Sequence, residues 1–256
     1  MVTNSTKFAP DDILACFRRL CAGAGRQGLI GLAPAEGVHL LTEQHGYLKE
    51  RLRSLGSPDR FTAASLALLY HDHEMQAIPG RWTATRTGAD GWNDYAGAYE
   101  EVNGALDHVA ESLAARFGGI AEQPTLAGWV DKVGHVSEYS PHCISHRVFA
   151  EAAGLGWRGR HSLIVTPEAG PALRLATVFL PGSLVEAGVD LPGCGDCRAC
   201  LEVCPILGKL GDHREGCRRR IDALGLDAEV CGICVRVCWE QVRARSVGGQ
   251  PQRQLD

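Results

Sequence analysis

The C-terminal quarter of the chain carries the tightest constraint on its fold. From Cys194 it reads Cys-x2-Cys-x2-Cys-x3-Cys-Pro, ending at Cys204 and Pro205. Cys217 follows, and then Cys231, Cys234 and Cys238 repeat the x2 and x3 spacing. Eight cysteines within 45 residues, in two sets of four, match what two 4Fe–4S clusters require. Two structural zinc sites could also be built from CxxC pairs. Three cysteines at successive x2 spacings ending in Cys-Pro favour iron–sulfur.

In two-cluster proteins of the bacterial ferredoxin type, the fourth cysteine of each run ligates the other cluster. Applied here, Cys194, Cys197, Cys200 and Cys238 hold one cluster, and Cys204, Cys217, Cys231 and Cys234 hold the second. The 13 residues between Cys217 and Cys231 then form an inserted loop or helix. Such a module occupies residues 189–245, and the polar stretch 246–256 is expected to be a disordered tail.

Eleven cysteines without a basic, apolar leader argue for metal or redox use in the cytoplasm, not for a disulfide framework. No run approaches the roughly 18 apolar residues of a membrane span. A net charge of −4 gives no sign of broad, non-specific nucleic-acid binding, and it leaves a local basic groove open.

Residues 1–188 suffice for one α+β domain. A helix is expected from Asp11 to Gly23, with Cys16 and Cys21 as core thiols, and a second from Thr42 to Leu55. Ala63–Tyr70 reads as a buried strand, followed by His71 and His73, a weak metal pair on one face of an extended chain. Pro79–Trp92 reads as an exposed loop. Tyr95 to Phe117 keeps helical spacing over more than six turns and stops at Gly118-Gly119. Ser140-Pro141 starts a helix that ends at Gly154. The runs 161–166 and 172–180 form a hairpin pattern. No GxGxxG, P-loop or HExxH motif occurs, so nucleotide cofactors are disfavoured and a flavin or corrinoid remains.

The run Ile144-Ser145-His146-Arg147, the loop Gly154-Leu155-Gly156-Trp157-Arg158-Gly159-Arg160-His161, the segments Val165–Glu168 and Arg174–Val178, and the cysteine order together resemble the epoxyqueuosine reductase family. The resemblance is strongest over residues 140–240. It implies a nitroreductase-like α/β domain that binds cobalamin, followed by a bacterial-ferredoxin-like double 4Fe–4S domain, as in corrinoid reductive dehalogenases. Electrons would pass from the clusters to the corrinoid, which would reduce a small substrate as Co(I). Gly154, Gly156, Trp157, Arg158, Gly159, Arg160 and His161 would line the corrinoid pocket. The resemblance also implies an electron donor of flavodoxin, ferredoxin or reductase type.

The family's proton-donating Asp corresponds by spacing to Ser140. His142 is then the best local acid–base, held neutral by the positive end of the expected helix, with Tyr139 and Glu138 as neighbours. Cys143 would be either a thiol activated by the same helix end or a small buried residue. His142 and His146, four apart, could both meet a metal. The chain ends soon after Cys238, without the family's C-terminal helical repeats, so tRNA is an unlikely partner on this reading. The rival functions are a non-catalytic electron-transfer or corrinoid-reactivating protein, and a cobalamin-free binding or regulatory protein.

Overall fold

The structure is a computed structural model. It describes residues 8–53, 55, 60–81, 89–124, 134–135, 137–138, 142–183, 191–209, 213–225 and 230–247. The elements run α1 (Pro10–Gly23), β1 (Gly28–Pro34), α2 (Thr42–Arg53), β2 (Phe61–Leu69), α3 (Asp72–Ala77) and α4 (Ala89–Phe117). They continue with β3 (Ile120–Glu122), α5 (His146–Ala152), β4 (Trp157–Arg158), β5 (Ile164–Val165), β6 (Leu173–Pro181), α6 (Ala199–Val203), α7 (His213–Leu224) and α8 (Ile233–Val247). Helices and an antiparallel sheet make this a mixed α+β architecture. No described helix is long and apolar enough to cross a membrane.

The main sheet has the order β1-β2-β6-β3, antiparallel throughout. Alternation along a strand sends successive side chains to opposite faces. Ala64, Leu66 and Leu68 of β2 and Ala176, Val178 and Leu180 of β6 face α1 and α4, against Phe17, Val102, Leu106 and Leu113. Ala63 and Phe179 face the other way, onto Leu48 of α2, Ile144 and Phe149. Both faces are therefore covered by helices, which is why β2 reads as an unbroken apolar run.

Arg26 fastens the turn after α1 to α3. Its guanidinium lies 2.7 Å from Glu74, and both side chains are almost fully buried. Burial alone would raise the Glu74 pKa. The hydrogen bonds from Arg26 and the His71 amide, with the Arg26 charge, outweigh burial and hold it below the usual carboxylate value. A depressed carboxylate pKa adds stability above the unfolded pKa near 4.3, and that stability is lost as pH falls through the folded value. Glu74→Ala leaves Arg26 with only the exposed Glu101 as a partner. We expect it to cost on the order of 3 kcal/mol at pH 7, read from urea unfolding, and progressively less below about pH 4.

Several local expectations are corrected. His71 and His73 do not share an extended face: His71 caps α3 and His73 lies inside it, with their rings stacked at 5.7 Å. α4 begins at Ala89, so Trp92 is a buried helical residue and not part of an exposed loop; residues 82–88 lie outside the described residues. Residues 161–180 do not form a hairpin. β5 turns back onto β4, whereas β6 joins the main sheet beside β2. α8 extends to Val247, beyond the expected start of the tail, and residues 248–256 lie outside the described residues.

Candidate functional site

All eleven cysteines are free thiols. Short turns and helix starts group eight of them. The amide of Cys197 bonds the Cys194 carbonyl at 3.1 Å, α6 carries Cys200, and α8 carries Cys234 and Cys238 one turn apart. Burial, then the neighbouring Cys200, Cys194 and Cys197, pushes the Cys238 thiol up to about 12. Burial, then Cys231, Cys217, Cys204 and finally Cys200, raises Cys234. Cys238 thus has Cys200, Cys194 and Cys197 for neighbours, and Cys234 has Cys231, Cys217 and Cys204, with Cys200 next.

Among the described residues, no three His, Cys, Asp or Glu side chains close on a single-ion point. A four-iron cube spreads its thiolates wider than one zinc, which sits about 2.3 Å from each sulfur. Buried thiols resist ionisation, and an iron–sulfur cluster supplies the positive charge that overcomes this. The donor chemistry of both sets fits such clusters.

The cysteine module is seated firmly. Trp92 donates its indole N–H to the Cys231 carbonyl at 2.9 Å, and Arg236 of α8 reaches the carbonyls of Gln76 and Ile78. Gly232 has φ +73, and a Cβ there would lie 2.5 Å from the Tyr95 ring. Arg160 donates to the carbonyls of Cys197 at 3.0 Å and Gly195 at 2.8 Å. Arg160 therefore braces the first cysteine turn.

A cavity of about 1350 Å³ lies between the sheet side and the second cysteine set. That exceeds the roughly 300–1,000 Å³ of an ordinary small-molecule pocket. Cys204, Cys217, Cys231 and Cys234 line one wall. Of the loop residues expected around a cofactor, Arg158 and His161 reach this cavity; Gly154, Gly156, Trp157, Gly159 and Arg160 do not. The loop's glycines serve backbone packing. Gly154 ends α5 at φ +66, and a Cβ on Gly156 would lie 2.3 Å from the Val165 carbonyl oxygen.

His161 is 5% exposed, and burial lowers its pKa to about 4, so it is neutral at physiological pH. Its Nδ1 accepts the Leu163 amide at 3.1 Å, which assigns the proton to Nε2. That buried N–H has no partner among the described residues.

The proposed acid–base region is rearranged. Tyr139, Ser140 and Pro141 lie outside the described residues. α5 starts at His146 behind Ser145, because Ile144 is drawn into the core beside Phe149 and Phe179. His142 and Cys143 therefore precede the helix and do not sit at its positive end. Burial, then Glu122, raises the Cys143 pKa, so the thiol is not activated. His146 is not a metal ligand either: its ring nitrogens meet Thr177 Oγ1 at 3.0 Å and the Gln123 carbonyl at 2.8 Å.

His142 and Cys143 nevertheless line the cavity, together with a polar group the sequence did not reveal. Tyr47 donates to Glu122 at 2.9 Å, and Arg51 donates to the same carboxylate at 2.6 Å. Tyr47 and Arg51 are four apart on α2, so one helix face presents both to β3. That i, i+4 spacing was the only signal in the sequence.

No family model matches the chain. Over 93 residues it is 34% identical to the epoxyqueuosine reductase of Alicycliphilus denitrificans, covering 32% of this chain and 26% of that protein. It is 38% identical over 89 residues to the Escherichia coli K12 protein of the same name, covering 34% and 23%. The matched stretch thus spans about a quarter of these curated relatives, and they bear out the resemblance read from the motifs. Among solved structures, the catabolic reductive dehalogenase NpRdhA is similar with a TM-score of 0.60 at 14% identity, over 95% of this chain and 35% of that one. An epoxyqueuosine reductase from Streptococcus thermophilus is similar with a TM-score of 0.50 at 18% identity, over 89% and 65%. At these identities the structures show a shared fold.

One expectation is overturned here. The curated relatives are epoxyqueuosine reductases, and a protein of that name has been solved with an epoxyqueuosine-modified tRNA stem loop. The reading against tRNA does not stand.

Proposed function

We propose that this protein is an iron–sulfur oxidoreductase that uses a corrinoid held in the large cavity. The observation that carries this reading is the cavity wall formed by Cys204, Cys217, Cys231 and Cys234. A redox group bound there would be adjacent to one cluster. The other set, with Cys194 and Cys197 half-exposed and braced by Arg160, would receive electrons from a small redox protein. When bound, the corrinoid supplies a low-potential cobalt able to reduce a substrate by two electrons.

The remaining tasks fall to the chain. Arg158 and the Nε2–H of His161 present donors to the cavity, and Pro171, Leu173 and Leu175 give it an apolar side. Tyr47 holds the proton that a reduced product needs. Burial, then the charge of Glu122 and its hydrogen bond, pushes that phenol up to about 12. It stays protonated at working pH, yet transfer from Tyr47 Oη to a carbanion or alkoxide runs downhill. Arg51, bonded to Glu122, offsets the charge left behind, and bulk water restores the proton. His142 is the second proton source on the same wall.

The test is anaerobic reconstitution of the clusters, titration with cobalamin followed by its visible spectrum, and assay on an epoxyqueuosine-bearing tRNA stem loop. Corrinoid binding is expected. Tyr47→Phe should leave binding unchanged and slow turnover about 100-fold or more. Intact clusters with no corrinoid bound would remove the mechanism. Tyr47→Phe turning over at the wild-type rate would remove only the role of Tyr47.

A further inference from the structure

Arg160 stands in the loop between β4 and β5, which pair as a short hairpin. The Gly159 amide closes that loop on the Leu163 carbonyl at 2.9 Å, and the Ser162 amide bonds the Gly159 carbonyl at 2.8 Å. Ser162 takes the left-handed conformation, with φ 64, to make the turn. A Cβ on Gly159 would lie 2.8 Å from the His161 ring, so no larger residue fits there without a shift. The loop therefore has a fixed shape, and it sends Arg160 outward to a segment 35 and 37 residues further along the chain.

There the guanidinium donates from Nη2 to the Gly195 carbonyl at 2.8 Å and from Nε to the Cys197 carbonyl at 3.0 Å. One rigid fork thus holds two peptide units of the run Cys194–Cys200. A planar trans peptide points its N–H opposite to its carbonyl, so the amides of Asp196 and Arg198 are turned away from Arg160. Neither of these amides has a hydrogen-bond partner among the described residues, whereas the Cys197 amide between them is bound to the Cys194 carbonyl at 3.1 Å. Arg158, two residues earlier, is neutralised by Glu151. Arg160 has no such carboxylate among the described residues, and both its bonds are to backbone of the cysteine turn.

We propose that Arg160 is a positioning residue that raises the reduction potential of the cluster held by Cys194, Cys197, Cys200 and Cys238, favouring electron entry at that set. The inference rests on the iron–sulfur part of the proposed function and is independent of the corrinoid. Potentials of such clusters follow net charge, solvent exposure and hydrogen bonds to the sulfurs. Entry of one electron from a small redox protein makes a centre with four thiolates more negative, and a cation beside it favours that product. Arg160 is exposed, so water screens part of its charge. The fork acts a second way, by holding the amides of Asp196 and Arg198 as the donors of this turn that are left for cluster sulfur.

The test uses the full chain with reconstituted clusters and no corrinoid, as wild type, Arg160→Gln and Arg160→Lys. Electron paramagnetic resonance follows each centre while the solution potential is lowered stepwise. Gln keeps one donor and removes the charge. The first centre should become about tenfold harder to reduce, a fall of about 59 mV for one electron, with the second centre unmoved. Lys keeps the charge without the fork and should show a smaller fall, about threefold. Iron and labile sulfide should match wild type in both. An unchanged potential in Arg160→Gln overturns the inference, as does an equal fall at both centres, which would mark a general effect of surface charge. Loss of the first centre from both variants would also overturn it, leaving Arg160 a purely structural brace. A wild-type protein that assembles no iron–sulfur centre removes the cluster reading itself, whereas failure to bind corrinoid leaves this result intact.

Discussion

Cys238→Ala is expected to leave about four of the roughly eight irons that two clusters would contribute. Cys238 belongs to the last helix in the structure, yet the thiols that shape its charge environment are Cys200, Cys194 and Cys197, about 40 residues earlier. Losing it should therefore empty the first set and spare Cys204, Cys217, Cys231 and Cys234. Cys234→Ala, one turn away on the same helix, should do the reverse. Iron and labile-sulfide analysis measures the loss, and electron paramagnetic resonance of the reduced proteins shows which centre survives. Both variants losing the same centre would falsify the cross-paired assignment. The effect on function should exceed that on iron: on the proposed reading either loss interrupts electron flow to the cavity, so turnover should fall to background.

A steep loss of stability between about pH 6.5 and pH 4 is the second large effect we expect. His146 and His161 are buried as neutral rings, each lowered to about 4 by loss of solvent around the charged form. For His146 the carbonyl of Gln123 opposes burial without overcoming it. Unfolded, each imidazole has a pKa near 6.5. Between these values the unfolded chain takes up protons that the folded chain refuses, so the stabilisation is complete above about 6.5 and drains away as pH falls. Each histidine should add about 1.4 kcal/mol per pH unit to the slope within that window. Urea unfolding of wild type and His146→Gln from pH 7.5 to 5.5, where acid has not yet destroyed the clusters, isolates the term. The variant should start less stable, because Thr177 and the Gln123 carbonyl lose their partner, and should lose stability more slowly. Parallel curves would mean that His146 titrates alike in the folded and unfolded chains and is not held neutral by burial.

The sequence disclosed whatever depends on neighbours along the chain. α1, α2 and most of α4 follow from apolar residues recurring at helical spacing, and β2 from an apolar run of strand length. β1 and β3 escaped notice. β1 lies between glycines and small residues, and β3 is three residues long, so each gains definition only from its partner strand. The start of α5 was misplaced by the good capping residues Ser140 and Pro141. Local preference of about 1 kcal/mol yields to burying Ile144 and to bonding both nitrogens of His146.

The polar site divides in the same way. Cysteine spacing is enough to propose a grouping of the eight thiols, because a cluster needs three ligands from one tight turn and that requirement is written in consecutive residues. No local pattern could join Tyr47 and Arg51 of α2 to Glu122 of β3, more than 70 residues away. Nor could spacing show that Arg160 braces the first cysteine turn while its neighbour His161 faces the cavity. The sequence by itself determined the eight thiols of the cysteine module, since their order along the chain is their chemistry. The tertiary structure alone decided which charges meet in the cavity, because Coulomb energy depends on distance in space and takes no account of distance along the chain.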